Sequence, residues 1–424
     1  MTTELEDIGA LDLDRYIRPG DTVVWGQACA EPVTLTTALA EQRSRLGGIR
    51  CFTGICGTAA VRPEYADHLS FLSYTAAGAN RALAASGALS ILPSHYSRLP
   101  DVLSAGPLRA DIVLLSLPPA RSDGTFGPGL GADYIAPLVA GARVVMAEVN
   151  DQVPDVGSAI RFTRADIDVL VAVSCPPPQY PAPPPRDVED AIAGHIAGLV
   201  PDGATIQLGI GSMPSAVARR LIGHHDLGVH SGMISDAVAE LIEAGVVTGT
   251  RKSVDRGQVV TGFLMGSQPL LRLAAAGDSI SLRDTRYTHD PAVLAAQHQL
   301  VAINSAIEVD LTGQANAETA GGRWVGGVGG AVDFARGAAR SVGGIPVIAL
   351  PSTAVSRAGA ISRIVGRLSG PATLGRADAG VIVTEYGVAD LRGLTLGQRR
   401  ERMLAIAHPD HRRALAADDQ EEKP

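Results

Sequence analysis

The chain has 424 residues, 46% hydrophobic and 19% charged, enough apolar side chains for more than one core and too few charges for a disordered chain. Its 36 Lys and Arg against 44 Asp and Glu give a net charge of −8, which argues against a general nucleic-acid binder but leaves room for a small anion held by a local positive field. No apolar run reaches the roughly 18 residues of a membrane span, so no membrane association is expected.

The N-terminal run Met1–Tyr16 is acidic and lacks a signal-peptide core, so a cytoplasmic protein is expected. Thr22-Val-Val-Trp25 reads as a strand entering a Gly26-Gln-Ala-Cys-Ala-Glu-Pro32 loop. The Val- and Ile-rich runs Asp111–Leu117, Arg143–Glu148 and Asp168–Val173 show no polar alternation, as strands covered on both faces do. The proline-dense stretch from Cys175 to Pro185 excludes helix and central strand and predicts a stiff connector. It divides the chain into an N-terminal domain, 1–175, a linker, 176–186, and a C-terminal domain, 187–424.

Beyond the prolines the pattern repeats. Thr205-Ile-Gln-Leu-Gly209 stands as far from Thr22–Gly26 at its last residue as at its first. Ala110–Pro119 is echoed by Leu300–Asp310, and Gly141–Asn150 by Gly344–Thr353. This predicts an α/β fold of two tandem, duplicated open domains, each holding ligands at the carboxyl ends of its strands. Asp236–Gly245 reads as a helix capped by Ser235 or Asp236 and stopped by Gly245.

Four loops at predicted strand ends are candidate sites. Gly209-Ile210-Gly211-Ser212-Met213 enters a helix and offers backbone N–H groups to an anion; its spacing and Pro214 do not match a dinucleotide fingerprint. His230-Ser231-Gly232-Met233 follows a short strand. Gly327, Gly329 and Gly330 lie in a glycine cluster suited to an oxyanion or a nucleotide. Thr384–Gly393 carries charges that read equally as helix caps or ligand contacts. No metal pattern, GxSxG elbow or Walker loop is present, so no metal is expected. Cys29, Cys51, Cys56 and Cys175 form no CxxC pair and read as reduced thiols.

Across these loops the chain resembles the acetyl-CoA hydrolase/transferase family, and within it the 4-hydroxybutyrate CoA-transferase branch. The motifs include Gly26-Gln-Ala, Gly78-Ala-Asn80, Ala147-Glu-Val-Asn150, Leu208-Gly-Ile-Gly211, Gly228-Val-His-Ser231, Phe263-Leu-Met-Gly266, Ile303-Asn-Ser305, Gly327–Phe334 and Val383-Thr-Glu-Tyr-Gly387. The resemblance implies coenzyme A as a substrate, an acyl-CoA and a small-molecule acceptor as partners, a homodimer or higher homo-oligomer, and a site in the cleft between the two domains. There Gln27 would face Gly232 and Asn304, Ser231, Met233 and Asn304 would line the substrate, and residues 209–213 with Gly327, Gly329 and Gly330 would hold CoA.

The family's nucleophile is a glutamate two residues after the histidine of this motif, and here that position is Gly232. Glycine has no carboxylate to form an acyl anhydride. Three readings follow: direct hydrolysis of an acyl-CoA or transfer of its acyl group to an acceptor, with His230 as a possible base; an ordinary CoA-transferase using another carboxylate, such as Glu31, Glu148 or Glu385, or a chain whose glutamate was substituted; and a non-catalytic acyl-CoA-binding protein.

Overall fold

The β-branched runs become the interiors of two parallel sheets. In the computed structural model, residues 2–57, 60–277, 279–356 and 359–417 are described. They form two compact units, Met1–Pro181 with His230–Ala239 and Gln258–Asp290, and Ala182–Val229 with Glu240–Gly257 and Pro291–Pro424. These units depart from the linear division at the prolines: the His230 loop and residues 258–290, expected in the second half, belong to the first unit.

The first unit holds an eight-stranded sheet, with strands in the order Thr3–Leu5, Val169–Val173, Val144–Asn150, Ile112–Leu117, Thr22–Trp25, Ile49–Phe52, Leu69–Ser73 and Leu89–Ile91. Every neighbouring pair is parallel. Successive residues feed opposite faces: Val24, Val113, Leu115 and Val145 enter one core, and Val23, Trp25, Ile112, Leu114 and Val144 the other. That is why these strands lack polar alternation.

In the second unit the order is Gly228–Val229, Thr205–Leu208, Leu300–Ser305, Ile345–Ala349, Val381–Thr384 and Gly387–Asp390. All pairs are parallel except the last. Five strands therefore repeat the order of the first sheet, with Thr205–Leu208 standing for Thr22–Trp25 and Val381–Thr384 for Val169–Val173, so the duplication read from the sequence is present in the topology.

Three local expectations change. Thr384–Gly393 holds the turn and the return strand of a β-hairpin, Val381–Thr384 with Gly387–Asp390, in which Glu385-Tyr386 is the turn, and both Glu385 oxygens accept from Ser352, from its N at 2.8 Å and Oγ at 2.6 Å. The helix Asp236–Glu243 forms and stops at Gly245, whose φ is +72°. Asp236, however, caps another helix: Oδ1 accepts from Ser267 N at 2.8 Å, and Ser267 precedes Gln268–Ala276. Residues 174–186 carry no helix or strand, yet Tyr180 donates its N–H to Gly266 O at 2.7 Å within the first unit, so part of the expected spacer is packed.

In the second unit, Gly337 lies in the helix Ala331–Arg340 against Leu294; a Cβ there would come within 2.5 Å of the Leu294 Cβ. Helix propensity alone predicts that Gly337→Ala stabilises by about 1 kcal/mol. The contact predicts the opposite sign, a loss of about 1–3 kcal/mol from overpacking, to be read from urea unfolding.

Candidate functional site

Within the first unit the strand Thr22–Trp25 delivers Gln27 to a buried polar cluster. Gln27 Nε2 donates to Tyr96 Oη at 2.5 Å and to Asp133 Oδ2 at 2.6 Å. Its Oε1 accepts from Ile55 N at 2.9 Å and Tyr74 OH at 2.9 Å. A carboxamide has two N–H bonds and two lone pairs, so all four of its positions are committed to protein. Tyr96 OH also donates to Asp133 Oδ2 at 3.0 Å, and Ile135 N to Oδ1 at 3.2 Å. Gln27, Tyr74, Tyr96 and Asp133 are all buried. Burial pushes the Asp133 carboxyl up to about 6, against the pull of the Gln27, Ile135 and Tyr96 bonds.

The backbone carries this cluster to the His230 loop. Ala132 N and Asp133 N donate to Gly262 O at 2.8 and 3.2 Å, Gly262 N donates to Gly232 O at 3.0 Å, and Ser231 N donates to Val260 O at 3.0 Å. Gly262 has to be glycine, because a Cβ would sit 2.7 Å from Gly232 O and 3.3 Å from the Asp133 Cβ. Gly232 is half-buried, between the buried Ser231 and Met233. The Met233 side chain packs in the core with Phe263 and Tyr134.

His230 is fully buried, and its Nε2 lies 3.1 Å from Thr288 O. A carbonyl only accepts, so Nε2 carries a proton and donates it to Thr288 O. His289 stacks at 4.9 Å on Tyr96 and is buried; that burial, with His230 nearby, depresses it to about 3, keeping it neutral. Sequence reading passed over Asp133, Tyr74, Tyr96 and His289. The available signal was Asp133 closing the glycine-rich run Gly127-Pro-Gly-Leu-Gly-Ala.

The second unit holds the remaining candidates. Gly211, at φ +104°, is the N-cap of the helix Ser212–Arg220 and has no side-chain cap. Its added Cβ would meet nothing within 4 Å. Ile210 is exposed and Met213 buried. Ser212 donates to Glu189 Oε1 at 2.8 Å. Asn304 pairs with Gln207, each carboxamide donating to the other at 3.0 and 3.3 Å. Gly209, on the neighbouring strand end, would put a Cβ 3.9 Å from Asn304 Oδ1. Gly327, Gly329 and Gly330 are half-buried and lead into the helix Ala331–Arg340, which also lacks a side-chain cap. Both helices therefore start on a glycine with no side-chain cap, an arrangement suited to anionic groups.

Other reactive groups are engaged. Glu148 Oε2 accepts from Thr34 N at 2.9 Å and Leu35 N at 3.3 Å, capping the helix Val33–Gln42; burial raises its carboxyl to about 7. Glu31 is buried. The Cys29 thiol, also buried, is pushed up to about 11 by desolvation, a value unsuited to a thiolate nucleophile at neutral pH. Among the described residues no group of three or more His, Cys, Asp or Glu could hold a metal, and no helix is long and apolar enough to cross a membrane.

Comparison with known proteins matches residues 8–172 to the acetyl-CoA hydrolase/transferase N-terminal domain and residues 266–418 to the C-terminal domain. The chain is 36% identical to the 4-hydroxybutyrate coenzyme A transferase of Clostridium kluyveri, over 93% of this chain and 92% of the relative. Its fold is similar to that of RipA from Yersinia pestis, with a TM-score of 0.90 and 32% identity, covering 96% of this chain and 95% of that one. It is also similar to the 4-hydroxybutyrate CoA-transferase of Porphyromonas gingivalis, with a TM-score of 0.84 and 33% identity, covering 99% and 98%.

The buried cluster gives a pH-dependent stability. The Asp133 carboxyl is raised from 3.8 to about 6 on folding, so the folded chain holds its proton where the unfolded chain has lost it. The stabilisation is full below pH 3.8 and is lost as pH rises through about 6. In Asp133→Asn this slope disappears, so the wild-type minus variant difference in unfolding free energy should fall between pH 4 and 6. Asn also sets an N–H against one of three donors and should cost about 1–3 kcal/mol at pH 5.

Proposed function

Because this chain belongs to the acetyl-CoA hydrolase/transferase family and is an enzyme of the acyl-CoA transferase or hydrolase type, we propose that it breaks an acyl-CoA thioester without a glutamyl intermediate. The observation that carries the reading is Gly232. Its backbone is held by Gly262 on the Gln27–Asp133 cluster, yet it brings no carboxylate to the position where the resemblance expects one. Four other carboxylates are held within the protein. Asp133 is tied to Gln27, Tyr96 and Ile135, Asp236 to Ser267, Glu148 to a helix start and Glu385 to Ser352.

On this reading water, or the hydroxyl or amine of an acceptor, attacks the thioester carbonyl. The tetrahedral oxyanion collapses, the C–S bond breaks, and CoA leaves as a thiolate that takes up the proton lost by the nucleophile. Backbone N–H groups stabilise the oxyanion. Coenzyme A is the substrate the family implies. Its diphosphate suits the uncapped helix starts at Gly211 and Gly330, with Ile210, Ser212, Met213, Gly327 and Gly329 completing the two loops. Gln27 and His230 act here as positioning groups, since both are buried and bonded within the protein. A cytoplasmic homo-oligomer belongs to the same reading, in keeping with four free cysteines.

Four measurements test it. Thiol release from acetyl-CoA or butyryl-CoA should proceed without added carboxylate, and borohydride treatment followed by intact-protein mass spectrometry should find no reduced glutamyl adduct. An adduct together with ping-pong exchange would show that a carboxylate nucleophile exists and overturn the reading. Gly232→Glu should gain CoA exchange between acyl-CoA and acetate by about 100-fold or more over wild type, because a placed nucleophile is worth several powers of ten in rate. Gly211→Val should weaken CoA binding by calorimetry in a folded protein, since its side chain enters open space above the helix start in a backbone region costly for β-branched residues.

A further inference from the structure

An arginine-lined pocket opens in the second unit; of the loops described above it takes in only the end of Thr384–Gly393, at Arg392 and Gly393. It has a volume of about 420 Å³ and is lined by Arg336, Arg340, Arg392 and Arg399, with Asp378 as its acidic residue. Its place in the fold follows from the strand directions. Gly344 precedes the strand Ile345–Ala349, and Ala377–Ala379 precede Val381–Thr384. Arg392 follows the antiparallel strand Gly387–Asp390, whose last residue pairs with Val381. The pocket therefore lies at the amino edge of the parallel sheet, whereas Gly209–Met213 and Gly327–Gly330 lie at the carboxyl edge. The helix Ala331–Arg340 joins the two edges: it starts at Gly330 and presents Arg336 and Arg340 near its end, about 15 Å away at 1.5 Å per residue.

The charges do not cancel. Arg336 binds both oxygens of Asp378, each at 2.9 Å. Arg392 is paired with Asp390 at 2.7 and 2.9 Å. Arg399 spends Nη1 on the carbonyls of Thr312 and Arg376, at 3.0 and 2.6 Å, which leaves its charge uncompensated. Arg340 is exposed and has no ion-pair or hydrogen-bond partner among the described residues. A chain of net charge −8 thus gathers positive charge around one cavity, of a size ordinary for small-molecule sites. Guanidinium forks match phosphate and carboxylate oxygens two at a time.

We propose that this pocket is a second ligand site, distinct from the acyl-CoA loops, for a small multiply charged phosphoanion of the nucleoside diphosphate or triphosphate class. Arg340 and Arg399 supply the uncompensated charge, and Arg336 turns from Asp378 toward the ligand or shares it.

The test uses inorganic tripolyphosphate and, separately, ATP, titrated calorimetrically into the full chain at low salt with saturating CoA, because CoA carries the same diphosphate chemistry. Binding at a dissociation constant on the order of 100 µM or tighter is expected, with one equivalent taken up while CoA stays bound. Arg340→Glu should weaken it at least about tenfold. Arg81→Glu, the same charge change on an exposed helix of the first unit, should leave it within about twofold. Tripolyphosphate bound without ATP would assign the site to the phosphate chain alone and remove the nucleoside from the proposal. Absence of uptake, complete displacement by CoA, or equal losses in Arg340→Glu and Arg81→Glu would each overturn it.

Discussion

A carboxylate and a carboxamide buried side by side have to satisfy one another, and the first unit is organised around that demand. Asp133 and Gln27 lie in an apolar interior where an unpaired polar atom would cost several kcal/mol. Meeting the requirement takes Tyr74 from the end of the strand Leu69–Ser73, Tyr96 from the short 3-10 helix Tyr96–Arg98, and Ile55 N and Ile135 N from two loops. The residues contributing the bonds are far apart in the chain, so the cluster forms only when the parallel sheet has closed. Once formed it leaves Gln27 no spare hydrogen-bonding position, and the Asp133 backbone sets the height of Gly262 and, through it, Gly232.

This arrangement bears on how acyl transfer is organised. The loop around residue 232 is held by backbone hydrogen bonds from Gly262 N to Gly232 O and from Ser231 N to Val260 O, and on the proposed reading this is the frame of the reacting centre. The same support places a glycine, which offers no carboxylate. On the proposed reading, the missing carboxylate favours direct attack by an external nucleophile over covalent catalysis. Fold and family membership are shared with the transferases, and the proposal makes the choice between the two reactions rest on this residue.

The second unit shows the same economy in a different form. Five of its strands repeat the order of the first sheet, and at the carboxyl edge two helices begin on glycine with no side-chain cap. At the amino edge arginines gather around a pocket. One helix, Ala331–Arg340, has an end at each edge.

Much of the fold was legible in the chain. Val and Ile runs without polar alternation marked strands covered on both faces, and the strand pairs Thr22–Trp25 with Thr205–Leu208 and Ile112–Leu117 with Leu300–Ser305 occupy equivalent sheet positions. These readings succeed because side-chain periodicity and local turn chemistry act over a few residues. The glycine at 232 is likewise a fact of sequence, since its flanking motif sets the register. Tertiary structure alone decided the rest. Asp236 looked like the cap of its own helix and caps Gln268–Ala276 instead, because Ser267 is brought to it by packing. Glu385 read equally as a helix cap or a ligand contact and lies in a hairpin turn, bound to Ser352. The His230 loop and residues 258–290 join the first compact unit. The partnership of Gln27 with Asp133 joins residues on separate loops, and no local pattern encodes it: burial makes each polar atom seek whichever partner the closed sheet has brought within reach.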